Sequence, residues 1–341
     1  MGSRRARAVK ENQNAKLVCV VDDDFKNASY LACELNCDFY TDYDKALKRH
    51  DVDCVVIAVP NKLHSEISIE AIREGKHVFC EKPMAIKPEE CELMVNEALK
   101  HNVYLKVSSN IRYFGNIRKA KELLDQRVIG DLLFMRGWIG HRGWNLKPNS
   151  WFIDPDLIGG GTLLDNGCHL IDLVRWFMGE IKECIGFYTT GLHKQLPKRL
   201  EDTAMGILIT IDNKPIFIQS SWAEINGYLY AEVYGERGAI YVDNRGNNAK
   251  TILLDDSGLS HMFDYSDEPR ISFKLEIDDF IDSVIHGIHP TPTGYDGMRV
   301  IQIIHGIYES AKRDYKVKVF NENKLNPIRK EIVKRHGEIV W

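Results

Sequence analysis

Short runs that are apolar throughout alternate with helical patterns over the first third of the chain. Residues 16–21, 53–59, 76–80 and 103–107 read as buried strands. Between them, residues 26–35, 65–73 and 87–101 have helical spacing, and Gly75 stands where a C-terminal helix stop belongs. Strands without a polar face, separated by helices, predict a parallel sheet covered on both sides. This is the doubly wound α/β pattern.

From about Gly130 the pattern changes. Residues 132–139, 184–190, 204–211, 215–222, 228–234 and 239–242 are rich in β-formers, with turn signals at Asp212-Asn213 and Arg237-Gly238. Strands that follow one another without helices predict a largely antiparallel sheet. Helical patterns at 162–177 and 274–286 interrupt it, and a third at 297–312 precedes a short strand at 317–320. The expected division is residues 1–110, residues 111–320 in an α+β domain with a large open sheet, and a charged tail, 321–341, with a weak helical pattern.

A length of 341 residues suits two domains. Apolar residues make up 44% and charged residues 28%, which excludes disordered, collagen-like and coiled-coil chains. Lysine plus arginine number 45 against 49 acids, a net charge of −4, so no electrostatic footprint for nucleic acid or an anionic membrane is expected. No run approaches the ~20 apolar residues of a spanning helix, and the basic start MGSRRARAVKEN has no apolar signal segment. The eight cysteines form no C-x-x-C pair, and Cys33 and Cys37 lack a histidine pair to complete a zinc site. Reduced thiols, a cytoplasmic location and no metal are expected.

Three features carry chemistry. Glu81-Lys82-Pro83 follows a strand directly, so Lys82 points into the crevice beyond the carboxyl ends of a parallel sheet, where a partly dry lysine can have a lowered pKa. In Gly159-Gly160-Gly161-Thr162-Leu163-Leu164-Asp165-Asn166-Gly167-Cys168-His169, three glycines allow close backbone approach. Asp165 and His169, four apart, share a helix face there, so that the aspartate can orient the histidine; Asp172 follows a turn later. The strand ending at Pro60-Asn61, with His64 beyond, opens a loop at the same sheet edge, and Asn61 offers a donor and acceptors.

The sequence A-V-P-N-x-x-H, then E-K-P, then G-G-G-x-x-x-D-x-G-x-H-x-x-D resembles the glucose–fructose oxidoreductase/inositol dehydrogenase (Gfo/Idh/MocA) family, with similarity from Gly2 to about Phe320. The resemblance implies an N-terminal Rossmann domain for a nicotinamide dinucleotide, and a second domain whose open sheet makes a homo-dimer or homo-tetramer. It implies that Lys82, Asp165 and His169 are catalytic, and that Gly2, Asp22, Pro60, Asn61, His64, Glu81 and Lys82 face the cofactor. His169 or Lys82 would then be the base for oxidation of a secondary alcohol. Asp22, followed by Asp23 and Asp24 rather than arginine, favours NAD over NADP. His141, Arg142, Trp144, Lys147 and Trp151, with Arg112, would offer aromatic faces and cationic donors to a sugar, cyclitol or nucleotide-sugar.

The resemblance departs at the front, where the family's first strand and G-x-G-x-x-G turn would precede Gly2, the match to its third glycine. The expectation is a natural start roughly ten residues upstream, one strand and one turn. Two other functions fit the same residues: a glycosidase that retains NAD, and a non-catalytic ligand-binding or regulatory protein that has lost tight cofactor binding.

Overall fold

The structure, a computed structural model, describes residues 1–143, 146–147, 150–267 and 271–336. The chain begins in helix α1 (Gly2–Glu11), then alternates strands and helices: β1 (Cys19–Val21), α2 (Phe25–Leu35), β2 (Asp38–Tyr40), α3 (Tyr43–Leu47), β3 (Cys54–Ile57), α4 (His64–Arg73), β4 (His77–Cys80), α5 (Pro88–His101) and β5 (Leu105–Val107). Local chemistry sets the helix starts. Asp24 accepts from the amides of Lys26 and Asn27 to cap α2, and Pro88, with no amide hydrogen to leave unpaired, opens α5.

All strand pairs in this half are parallel, β1 with β2 and β3–β4–β5 together. The two groups are not joined. Residues 18–21 of one and 54–58 of the other line a common cavity of about 1460 Å³, which also takes in Gly2, Asp22 and Pro60. Sequence spacing missed β2 and α3, which are too short to show a period.

After α6 (Gly115–Asp125), the second half builds one nine-stranded sheet. Its strands are β6 (Leu132–Gly140), β7 (Ile181–Thr189), β8 (Thr203–Thr210), β9 (Pro215–Ser221), β10 (Leu229–Gly235), β11 (Gly238–Asp243), β12 (Lys250–Asp255), β13 (Ser260–Asp264) and β14 (Val317–Lys318). Their order is β13-β12-β11-β10-β6-β9-β8-β7-β14, antiparallel except for β6 with β9. The remaining helices are α7 (Pro155–Ile158), α8 (Cys168–Met178), α9 (Ser272–His286), α10 (Gly294–Arg313) and α11 (Glu322–His336).

The sheet is two-faced. Cys184, Leu208, Ile216, Ile218, Ala231 and Val233 are buried in one core, in which α8 packs on β6 and β9 and α10 on β7. On the other face Ile185, Ile207 and Phe217 stand directly opposite one another across three strands and are 42%, 48% and 39% exposed. Helix α9 returns to the first half, where Ile277 and Phe280 pack on Phe79 and Ala8. No helix among the described residues is long and apolar enough to cross a membrane.

Candidate active site

Lys82 leaves the end of β4 and crosses to the second half of the molecule. Its ammonium donates to Asp165 Oδ1 at 2.8 Å and to the Asp165 carbonyl at 3.0 Å. Asp165 lies in a π-helical turn, Leu163–Gly167, that leads into α8. The spacing predicts one continuous helix over 162–177; the structure inserts this wider turn, a feature frequent at functional sites. The other carboxylate oxygen accepts from Trp222 Nε1 at 3.2 Å, and His141 Nε2 stands 3.8 Å away. Gly143 donates its amide to His141 Nδ1, so the ring proton lies on Nε2, facing Asp165.

Both oxygens of Asp165 are therefore engaged, and among the described residues no hydrogen bond joins it to His169. The orienting bond expected from the four-residue spacing is replaced by an ion pair with Lys82. Burial would raise the Asp165 pKa, but the Lys82 charge and the hydrogen bonds from His141 and Lys82 hold it well below the usual carboxylate range. For Lys82, burial pulls downward and the Asp165 charge more than reverses it. The lysine is thus a firmly charged ammonium, contrary to the lowered pKa expected from the sequence.

His169, on the first turn of α8, is buried, and desolvation together with the Lys82 charge pushes its pKa down to about 3. It is a neutral imidazole at physiological pH. His169, Lys82 and Asp172 line one small cavity of about 20 Å³, room for a single water.

Several expected cofactor residues are occupied elsewhere. His64 is 1% exposed, with its two ring nitrogens 2.8 and 2.9 Å from the Pro83 and Val59 carbonyls, so it braces the loops after β3 and β4. Asn61 donates to the Ile158 carbonyl across to α7. Glu81 accepts from Arg5 Nε at 2.7 Å and from the Lys82 amide, tying α1 to the turn that carries Lys82. Buried polar groups persist only when paired, and these three are spent on that pairing. Gly2, Asp22 and Pro60 do line the large cavity. A Cβ at Gly2 would meet only Ala58, at an ordinary 3.8 Å, so local sterics do not demand glycine there.

The substrate-side expectations divide in the same way. Arg112 forms a two-bond fork with Asp172, at 2.8 and 2.6 Å, and lies over Trp176. It is a buried arginine whose Nε and Nη2 are turned to Asp172. Arg142 is exposed on the loop after β6, Trp151 is 40% exposed, and Trp144 lies outside the described residues. Trp222 and Tyr228 were not singled out in the sequence. Tyr228 is close enough to Lys82, Asp165 and Cys168 to feel their charges, and burial pushes its phenol pKa up. Trp222 ends one apolar strand run and Tyr228 begins the next, positions where an aromatic reads as core, so no local signal marks them.

The donor set suits a nicotinamide dinucleotide in part. Asp22, half-buried just after β1, offers carboxylate oxygens beside the large cavity, while the amides of Gly2 and Ser3 begin α1 at its rim. Among the described residues, no group of three His, Cys, Asp or Glu side chains converges as a metal site.

Two family models match: the oxidoreductase family, NAD-binding Rossmann fold, over residues 1–109, and the GFO/IDH/MocA C-terminal domain over residues 117–241. The chain is 35% identical over 184 residues to a 2,7-anhydro-N-acetylneuraminate hydratase of Mediterraneibacter gnavus, covering 53% of this chain and 48% of that protein. It is 28% identical to a myo-inositol 2-dehydrogenase of Thermotoga maritima, covering 82% of this chain and 84% of that one. The matches to the first curated relatives span less than two thirds of those proteins' length. A levoglucosan dehydrogenase solved with NADH and levoglucosan shares the fold, with a TM-score of 0.84, 24% identity, and coverage of 94% of this chain and 96% of that one. With both family models matched in chain order and the lysine, aspartate and histidine gathered at one site, the chain belongs to the Gfo/Idh/MocA oxidoreductase family.

Proposed function

We propose that this protein is an NAD-dependent dehydrogenase acting on a secondary alcohol of a sugar, cyclitol or nucleotide-sugar. The observation that carries the reading is the charged Lys82, locked to Asp165, lining the same small cavity as a neutral, proton-accepting His169. Bound nicotinamide would supply the acceptor for the hydride. The residues of this chain manage the proton and the oxygen. His169 takes the hydroxyl proton as the C–H pair leaves as hydride, and the Lys82 ammonium donates to the oxygen as negative charge builds on it. Asp165 holds the ammonium in place and keeps it protonated.

Asp22 would hold the adenosine ribose, and the run Asp22-Asp23-Asp24 would repel a 2′-phosphate, which favours NAD over NADP. Exposed Arg142 and Trp151 border the substrate side. The apolar row Ile185, Ile207 and Phe217 is the face through which we expect two or four copies to associate, and eight unpaired thiols suit a cytoplasmic setting.

The test is titration of NAD and NADP, followed by a panel of sugars, cyclitols and nucleotide-sugars read by NADH absorbance. NADH formation with His169→Ala and Lys82→Ala inactive supports the reading; unchanged rates in both variants reject it. The identity to a hydratase favours a second reading, in which bound NAD would supply only a transient oxidation around an elimination, with no net redox change in the substrate. Product release without net NADH would select it.

A further inference from the structure

Two of the three glycines before Asp165, Gly160 and Gly161, have a specific reason, and it lies in the chain itself. A Cβ on Gly161 would fall 2.0 Å from the Glu201 carbonyl oxygen and 2.5 Å from the Glu201 amide, and one on Gly160 would fall 2.8 Å from the Tyr308 hydroxyl. These glycines therefore admit a neighbour from α10 and a neighbour from the loop before β8. That neighbour is Glu201, 3% exposed, whose carboxylate accepts from Gly161 N at 3.0 Å and Leu163 N at 2.9 Å. Its carbonyl accepts from the amide between them, Thr162, at 3.0 Å. Tyr308 donates its hydroxyl to the same carboxylate at 2.9 Å.

Three successive amides at the start of a helix normally lack intrahelical partners and are capped from within the first turn. Here the cap comes from a residue 38 positions away in sequence. It seizes the backbone two residues before Asp165, where the wide π turn begins, and a negative charge suits the positive end of the helix.

We propose that Glu201, held by Tyr308, is a positioning residue that sets the turn carrying Asp165 and His169. The proposal rests on the preceding reading only in that these two side chains serve turnover. Glu201 touches neither Lys82 nor His169, so its effect is geometric. Loss of the cap lets the turn relax toward ordinary helix and carries the Asp165 carboxylate away from Lys82.

The experiment compares Glu201→Ala, Glu201→Gln and Tyr308→Phe with the wild-type chain in steady-state kinetics, NAD binding and amide exchange across residues 160–170. Glu201→Ala should lower kcat about 100-fold, the scale of a 1 Å misplacement. KM and NAD affinity should change by less than about threefold, because Glu201 is buried and bound to backbone amides rather than open to a ligand. Glu201→Gln keeps one acceptor oxygen and should recover part of kcat, while Tyr308→Phe should lose least. Exchange at the Gly161 and Leu163 amides should quicken in the same order. If Glu201→Ala does not fold, the other two variants carry the comparison. Wild-type kcat and wild-type exchange in Glu201→Gln and Tyr308→Phe would overturn the proposal. If the wild-type chain turns over no alcohol at all, the dehydrogenase reading fails, while the exchange rates still decide whether Glu201 holds the turn.

Discussion

Lys82 Nζ stands 2.8 Å from Asp165 Oδ1, with side chains only 23% and 8% exposed, and so joins the parallel-sheet half of the molecule to the helix of the other half. The pair is both a structural clasp and the centre of the proposed chemistry. Its two roles separate experimentally.

Replacing Lys82 with methionine keeps the volume and strands a buried carboxylate. Breaking one partner of a buried pair costs about 3–5 kcal/mol, so a clear drop in the urea midpoint is expected, together with loss of turnover. The acid limb should change as well. Asp165 has a depressed folded pKa, so its contribution is full above the unfolded carboxylate value of about 4 and is lost as pH falls through the lower folded value. In Lys82→Met that acid-sensitive contribution should shrink, which urea unfolding between neutral and strongly acid pH would measure.

His169 acts with the opposite acid–base sign to a salt-bridged histidine. Its folded pKa of about 3 lies below the ordinary 6.5, so between these values the unfolded chain holds a proton that the folded chain does not. Stability is therefore full above pH 6.5 and falls as pH drops, by up to about 1.4 kcal/mol per pH unit for this one group. Buried His64, also lowered by desolvation, adds in the same direction. His169→Gln should flatten the slope over that window in urea titrations; an unchanged slope would show that His169 is already charged in the folded protein.

Arg112 and Asp172 form a buried fork that the substrate does not need to touch. Arg112→Leu should cost about 3–5 kcal/mol in stability by leaving the buried Asp172 charge without its cation, with only Ser109 Oγ still donating to it, and KM for the alcohol unchanged. A selective rise in KM with normal thermal stability would instead assign the arginine to substrate binding.

The exposed row across β7, β8 and β9 should be an interface between copies. Ile207→Asp places a charge at its centre and should convert the assembled form to monomer, with kcat per chain measured alongside. A stable interface buries at least about 1,000 Å², so the mass change is readable by light scattering. A wild-type protein that is monomeric at all concentrations would remove this face from consideration as a contact.

Period and apolarity marked β3, β4 and β5 because buried parallel strands are apolar at every position. They also separated that region from the long antiparallel strands after Gly130. The short elements β2 and α3 have too few residues for a period to stand out, and β12 and β13 carry polar and charged residues among their apolar ones. Lys82, Asp165 and His169 were legible because each belongs to a compact local motif. Their relation was not: the spacing of Asp165 and His169 pointed to each other, whereas the fold turned Asp165 toward a lysine 83 positions away.

By itself, then, the chain's own order of residues determined the two-part architecture, the reactive residue types and the glycines that precede them, all of which are local or periodic properties. Tertiary structure decided which groups are free to act. Pairing of a buried polar group depends on distant neighbours: Arg5 claimed Glu81, Pro83 and Val59 claimed His64, and Asp172 claimed Arg112. Burial and the Lys82 charge, rather than any neighbour in sequence, made His169 neutral, and the same charge, acting against burial, holds the Asp165 pKa low. Desolvation and Coulomb forces act through space, and only the folded chain sets those distances.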